Sequence, residues 1–240
     1  MRIALLQLGS HLADPEANGR AIESAYRSAL GLGAQLVITP EMAVPGYLAE
    51  DRMWEPRLRY RIHQESDRLA ALSGPIPLVI GTCSPSPSGR LWNELRWCEN
   101  GKVRAVVRKR ILPVYDVFDE SRYFDADTAP QPLVDHLGER VGLSVCEDLW
   151  ADATLAASPI RYSFDPIADL VAQGATLVLN ASASPGTLGS YVPPGRSAPW
   201  AVPSKLAMRR SLLTGHAAKY GIPIGYACRV GSESWLAFDG

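Results

Sequence analysis

Val141–Trp150, VGLSVCEDLW, alternates apolar Val141, Leu143 and Val145 with the small residues Gly142 and Ser144. That period of two is the pattern of a β-strand. Cys146 therefore stands where a strand ends and a turn begins, and two carboxylates, Glu147 and Asp148, follow at once. Open α/β folds place reactive groups at such positions, because the carboxyl ends of their strands open into a crevice. A small buried thiol with no chemical role is the competing account of Cys146.

Upstream lies a hairpin. Leu91–Glu99 and Lys102–Arg110 flank Asn100-Gly101, a dipeptide whose backbone suits the tight turn between antiparallel strands. In the second arm Val103, Ala105, Val107 and Lys109 share one face, and Arg104, Val106, Arg108 and Arg110 share the other. Lys109 is thus the one cation on an otherwise apolar face, at the strand's end. A strand-end lysine can instead run its stem along apolar surface and put its ammonium in water.

Towards the N-terminus, Arg2–Leu8 and Gln35–Thr39 are strands, the second leading into Pro40-Glu41. Between them, Asp14-Pro15 is a helix start, with Ile22, Ala25, Tyr26, Ala29 and Leu30 at helical spacing. Gly31 and Gly33 end that helix. A second helix runs from about Pro56 to Ser73, followed by strand Leu78–Thr82. Downstream of Cys146 come a helix near Pro166–Gln173, strand Thr176–Asn180 and the loop Ala181–Pro203, with five prolines. A helix capped by Ser204 follows to Tyr220, with Leu206, Leu212, Leu213 and Ala217 towards the core, then strands Ile222–Ala227 and Ser234–Phe238. Strands alternating with helices, plus one long hairpin, predict a mixed α/β sheet covered by helices. No repeat or linker divides the 240 residues, so one domain spanning 1–240 is expected.

A net charge of −1 gives no electrostatic footprint for nucleic acid or anionic lipid. No apolar run reaches the ~18 residues of a membrane span. Cys83, Cys98, Cys146 and Cys228 lie far apart without a C-x-x-C pair, which argues against a zinc ribbon and a disulfide scaffold. The opening MRIALLQLG is too short for a secretory apolar region. A cytoplasmic protein without metal or cofactor is expected.

Glu41, Lys109 and Cys146 all end strands. A thiolate, a carboxylate and an ammonium are what nucleophilic attack on an amide needs. The thiolate attacks, the carboxylate takes its proton and passes one to departing ammonia, and the ammonium stabilises the oxyanion. The backbone N–H of Glu147 can assist. A Cys-His pairing is the rival. His63-Gln-Glu65 mimics the His-x-Glu of one glutaminase class, but that class places its pair downstream of the cysteine. Its nucleophile elbow also needs glycines where Ser144 and Asp148 stand. His63 is therefore expected to be a solvated helix residue.

Glu41, Lys109 and Cys146, in that order, resemble the nitrilase superfamily of carbon–nitrogen hydrolases. Lys109–Phe124, KRILPVYDVFDESRYF, resembles the lysine segment of one branch, the glutaminase domains of glutamine-dependent NAD synthetases. Val145–Trp150, Asn180–Pro185 and Phe238–Gly240 resemble three further segments of that branch. The resemblance implies a four-layer α-β-β-α sandwich that assembles as a homodimer or higher oligomer. It implies a thioester between Cys146 and the side-chain carbonyl of L-glutamine, Glu41 as general base and then acid, and Lys109 stabilising the tetrahedral intermediate. Glu120 would match a second glutamate that orients the lysine. Tyr115 and Glu147 would contact glutamine, and Ser182 would hold one end of it. Tyr115 is otherwise a packed aromatic in a proline turn, and Glu120 a helix-start carboxylate. Arg209 or Arg210 is a candidate for a substrate carboxylate, with helix-surface charge the expected role of at least one.

Two departures bear on substrate. A glycine-glycine-glutamine-aspartate run in the branch is replaced by Gly231-Ser-Glu-Ser-Trp235, and the loop 186–203 is long and proline-rich. Related domains continue for another strand beyond the position of Gly240, so a shortened or trimmed version is expected. No Ser-Gly-Gly-x-Asp-Ser loop or Walker sequence occurs in these residues, so ammonia would pass to an ATP-using NAD synthetase subunit or domain. A free-standing amidase for another small amide, and a catalytically silent partner of a synthetase, are the competing expectations.

Overall fold

A computed structural model describes residues 1–47, 49–155, 160–186, 205–233 and 236–240. Chain order gives β1 (Ile3–Leu5), α1 (Pro15–Gly31), β2 (Leu36–Ile38), α2 (Pro56–Leu72), β3 (Leu78–Pro85), β4 (Leu91–Glu99) and β5 (Lys102–Arg108). It continues with β6 (Val134–His136), β7 (Glu139–Val145), α3 (Pro166–Ala172), β8 (Leu177–Ser182), α4 (Lys205–Tyr220), β9 (Ile224–Cys228), β10 (Val230–Glu233) and β11 (Leu236–Asp239). The capping residues act as their chemistry predicts. Asp14 accepts the N–H of Ala17 ahead of α1, and Asp165 accepts those of Ile167 and Ala168 ahead of α3.

One sheet has the order β1-β2-β3-β4-β5, the other β6-β7-β8-β9, and β10 and β11 form a separate two-stranded ribbon. β1, β2 and β3 are parallel, joined through α1 and α2, while β4 and β5 add antiparallel. β7, β8 and β9 are parallel, joined through α3 and α4. Leu36, Ile38, Val79, Leu95, Trp97 and Val107 of the first sheet pack on Val141, Leu143, Val145, Leu179 and Ala227 of the second. Ile22, Leu58, Ile62 and Leu69 cover the outside of the first sheet, and Ile167, Leu170 and Leu212 that of the second. The layers run α-β-β-α, the sandwich the resemblance implies, whereas the element pattern alone points to a single mixed sheet.

Three expectations need correction. Val103 is exposed, because the β4–β5 register shifts at Trp97/Cys98 and Arg104 has no partner across the ladder. Beyond that bulge Val107 is buried, as expected. Leu206 is exposed, and the buried line of α4 is Arg209, Leu212 and His216. β10 was not expected as a separate strand. The sequence-level features at Ser204, at 187–203 and at Ser234-Trp235 lie outside the described residues. Among the described residues, no helix is long and apolar enough to cross a membrane.

Candidate active site

β2 ends at Ile38, and Thr39 and Pro40 carry the chain to Glu41, which is fully buried. The approach of β3 is so close that a Cβ on Gly81 would lie 2.1 Å from the Pro40 carbonyl oxygen. Glycine is required there, where β3 runs against the backbone on both sides of Glu41. One carboxylate oxygen of Glu41 accepts from Asn93 Nδ2 at 2.7 Å and from Lys109 Nζ at 2.8 Å. The other accepts the Ala183 N–H at 2.9 Å, just past the end of β8.

Lys109 follows β5 and has no exposed surface. Its backbone N–H donates to Asn93 O, so Asn93 aligns both the strand carrying the lysine and the carboxylate that meets it. Lys109 Nζ also donates to Glu120 Oε1 at 2.8 Å, and the same oxygen accepts Tyr47 Oη–H at 2.6 Å. Burial opposes the charge of Lys109, but Glu120 and Glu41 more than offset it and hold the ammonium well above its ordinary range. Burial pushes the Glu120 carboxyl up to about 7, against the pull of Lys109.

Cys146 opens a 3-10 turn, Cys146–Trp150, with a backbone φ of 42°. The left-handed region is costly for a residue with a Cβ, and such strain concentrates where a side chain must be aimed. Burial pushes its thiol well up, Glu41 adds to the rise and Lys109 opposes it. Burial therefore disfavours the thiolate, and Glu41 and Lys109 act on the sulfur in opposite directions.

Asp148 ties the two strand ends together. Its Oδ1 accepts the N–H groups of Arg110 and Ile111 at 3.0 and 2.9 Å, and its Oδ2 accepts that of Val145 at 3.1 Å. The residues just after Lys109 and just before Cys146 are thus fastened to one side chain. Asp148→Ala would strand these buried donors, at about 1–3 kcal/mol each. We expect a stability loss of about 3 kcal/mol or more in urea unfolding on that basis, and a smaller one for Asp148→Asn, which keeps an acceptor. A midpoint unchanged in Asp148→Ala would remove this brace.

Glu147 is 3% exposed and faces a different cluster. Tyr115 Oη–H donates to it at 3.0 Å and Tyr162 Oη–H at 2.7 Å. Burial raises its carboxyl, with the two phenols working in the opposite direction. Ser182 is buried at the end of β8, and its hydroxyl donates to Asn180 Oδ1 at 2.7 Å. Among the expected site residues, then, Glu41, Lys109 and Glu120 form one bonded unit acting on Cys146, Tyr115 and Glu147 form a second, and Ser182 bonds within its own sheet. Arg209 is buried and pairs with Asp239, whereas Arg210 is exposed. His63 is exposed on α2 and lies 3.5 Å from Asp67.

Tyr47, Asn93, Asp148 and Tyr162 were missed as site residues. Asp148 had drawn notice only as an acid beside the cysteine, and nothing local marks Asn93. The Pro45-Gly46-Tyr47 turn was a usable signal, since a proline-glycine turn can present a large aromatic at a fixed point.

The carbon–nitrogen hydrolase family profile matches residues 2–235. The chain is 33% identical to the glutamine-dependent NAD(+) synthetase of Synechocystis sp., covering 99% of this chain and 41% of that protein. It is 32% identical to the synthetase of Xanthomonas campestris, covering 100% of this chain and 39% of that one. It therefore spans about two fifths of the length of these relatives. Among solved structures, the glutamine-dependent NAD+ synthetase of Acinetobacter baumannii, in complex with ADP, superposes with a TM-score of 0.82 and 28% identity, over 99% of this chain and 40% of that one. An amidase variant from Nesterenkonia sp. AN1, showing covalent addition of the acetamide moiety of fluoroacetamide at its active-site cysteine, superposes with a TM-score of 0.81 and 25% identity. That match covers 100% of this chain and 80% of the amidase.

Proposed function

Because the chain belongs to the carbon–nitrogen hydrolase family, we propose that it hydrolyses the side-chain amide of L-glutamine through a thioester on Cys146. The observation that supports this reading is the fully buried Glu41–Lys109–Glu120 unit, whose Glu41 and Lys109 charges act in opposite directions on the buried Cys146 thiol.

Each residue has a step. The Cys146 thiol passes its proton to Glu41 as sulfur attacks the amide carbon, since burial keeps the thiol from ionising alone. Lys109 Nζ donates to the oxyanion, helped by the backbone N–H of Glu147. Glu41 returns the proton to the departing nitrogen, and ammonia leaves. Water then attacks the thioester, again with Glu41 as base, and glutamate is released. Glu120 keeps Lys109 charged and aimed. Glu147, held by Tyr115 and Tyr162, offers a negative group to the α-ammonium of glutamine. Ser182 would hold the opposite end of the substrate. The released ammonia would serve an ATP-using NAD synthetase subunit or domain, a reading supported by relatives that carry this region within a longer chain.

A second reading has its own support. The Nesterenkonia amidase is matched over twice the share of its length that the synthetase is, which supports an amidase acting on another small amide. Ammonia release from glutamine and from a panel of small aliphatic amides, with and without an ammonia-dependent NAD synthetase, tests both. Glutamine is expected to be the preferred substrate. A panel in which it is among the poorest transfers the assignment to the amidase. Release from no amide under any condition removes both readings.

A further inference from the structure

Arg229, at the corner between β9 and β10, is 2% exposed. Its Nη1 lies 2.7 Å from Glu233 Oε2, and the Glu233 side chain is 4% exposed. Neither residue has a step in the chemistry above. Two charges this deep are costly to desolvate, and an apolar pair of similar volume commonly packs as well or better. Burial lowers the Arg229 value and pushes the Glu233 carboxyl up to about 7, so the site resists both charges. Stability is a poor account of the pair.

The contacts of Glu233 supply another. Its Oε2 also accepts the backbone N–H of Tyr47 at 3.1 Å, and Ser10 Oγ–H donates to its other oxygen at 3.4 Å. Gly46 has a φ of 83°, and a Cβ there would meet Glu233 Oε1 at 2.5 Å. The carboxylate thus lies directly on the turn that delivers Tyr47. From the other side, the Arg229 guanidinium sits 5.2 Å from the centroid of the Phe238 ring, and Phe238 meets the Tyr47 ring edge-on at 6.3 Å. Tyr47 is gripped by backbone and ring together. Its hydroxyl then donates to the Glu120 oxygen that receives Lys109.

We propose that the Arg229–Glu233 pair is a positioning device that fixes Tyr47, and through Tyr47 and Glu120 sets where the Lys109 ammonium stands. The device rests on the reading of Lys109 as the oxyanion donor. It makes the β10–β11 ribbon part of the machinery, although the ribbon belongs to neither large sheet. A displaced lysine weakens stabilisation of the tetrahedral intermediate more than capture of the amide, so the effect falls on kcat.

Steady-state hydrolysis, per active site titrated, tests it. Glu233→Ala is expected to lower kcat by about tenfold or more with KM changed by less than about threefold, the scale of a slightly misplaced reacting group. Glu233→Gln, which keeps an oxygen for the Tyr47 N–H, should recover part of that loss. Adding Glu233→Ala to Tyr47→Phe should cost little beyond Tyr47→Phe alone, because both act through one hydroxyl. If Glu233→Ala fails to fold, Arg229→Met combined with Glu233→Leu removes the pair without stranding a charge and carries the same expectation. Unchanged kcat, or losses that multiply with Tyr47→Phe, would overturn the proposal.

A second readout does not depend on turnover. The pH dependence of Cys146 alkylation by iodoacetamide, located by mass spectrometry, reports the charges set around the thiol. Glu233→Ala should shift that profile in the wild-type background and leave it in place in Tyr47→Phe. A protein that hydrolyses no amide but shows this pattern would lose the functional reading and keep the positioning device. Active wild type with identical alkylation profiles in all variants would do the reverse.

Discussion

Glu41→Gln is expected to lower turnover by about 10³-fold or more, within the usual span of general acid–base catalysis. The substitution changes shape little and chemistry completely. An amide cannot take the thiol's proton, and burial holds that proton on Cys146. Among the described residues, the carboxylate of Glu41 accepts from three donors, Asn93, Lys109 and Ala183. A glutamine NH2 must face at least one of them, so a hydrogen bond becomes a repulsive contact. Loss of the base falls on kcat, while the Tyr115–Glu147–Tyr162 cluster is untouched and KM should move little. Ammonia release under single-turnover conditions would measure the first step, and mass spectrometry would show whether any thioester forms. Turnover within tenfold of wild type would mean that another group takes the proton.

The strand ends carrying Glu41, Lys109 and Cys146 were legible because each is announced locally. An apolar run stops, and a residue with reactive chemistry follows. Periodicity also says which face a side chain takes, and it sets Lys109 apart as a cation on an apolar face. It cannot say what lies opposite. Tyr47 and Glu233 are 186 residues apart, and Asn93 and Glu41 are 52 apart. Contacts at such separations are decided by how layers stack, which a single sequence does not encode in any short window. The resemblance located Glu120, whereas the spacing alone placed it no better than a helix-start carboxylate. Elsewhere local patterns misled. The bulge opposite Trp97/Cys98 has no proline or unusual residue to signal it, so Val103 was assigned to the wrong side. On α4 the buried face holds Arg209 and His216, and an apolar criterion passed over both in favour of the exposed Leu206. Arg209 tolerates burial because Asp239 pairs with it, and His216 because its Nε2 meets the Leu149 carbonyl at 2.7 Å.

Removing the lysine should do more than remove a catalytic donor, because Lys109 is the cation directly bonded to both Glu41 and Glu120. Lys109→Met is expected to abolish measurable turnover and to cost about 3–5 kcal/mol near neutral pH, the usual penalty for breaking a buried ion pair. Lys109→Arg keeps the charge but brings a wider, planar group into a site with no exposed surface, and a loss of about 10²-fold or more is expected. The two variants should part company with pH. Glu120 already has its native value near 7, above its ordinary 4.5, so it takes up a proton on folding between those limits. Its contribution to stability is therefore complete below the unfolded value and is lost as pH rises through the native one. Without Lys109 the carboxyl loses its main opposing attraction and still faces Glu41, so its native value climbs further. Protonation of Glu120 then relieves the repulsion in acid, and nothing relieves it in base. Thermal unfolding should show Lys109→Met close to wild type at about pH 5 and falling progressively below it towards about pH 8, whereas Lys109→Arg should hold a near-constant offset. A Lys109→Met deficit that is flat with pH would mean the two carboxylates do not feel each other across the lysine. The buried unit that supports the amide chemistry would then have to be rebuilt from different charges.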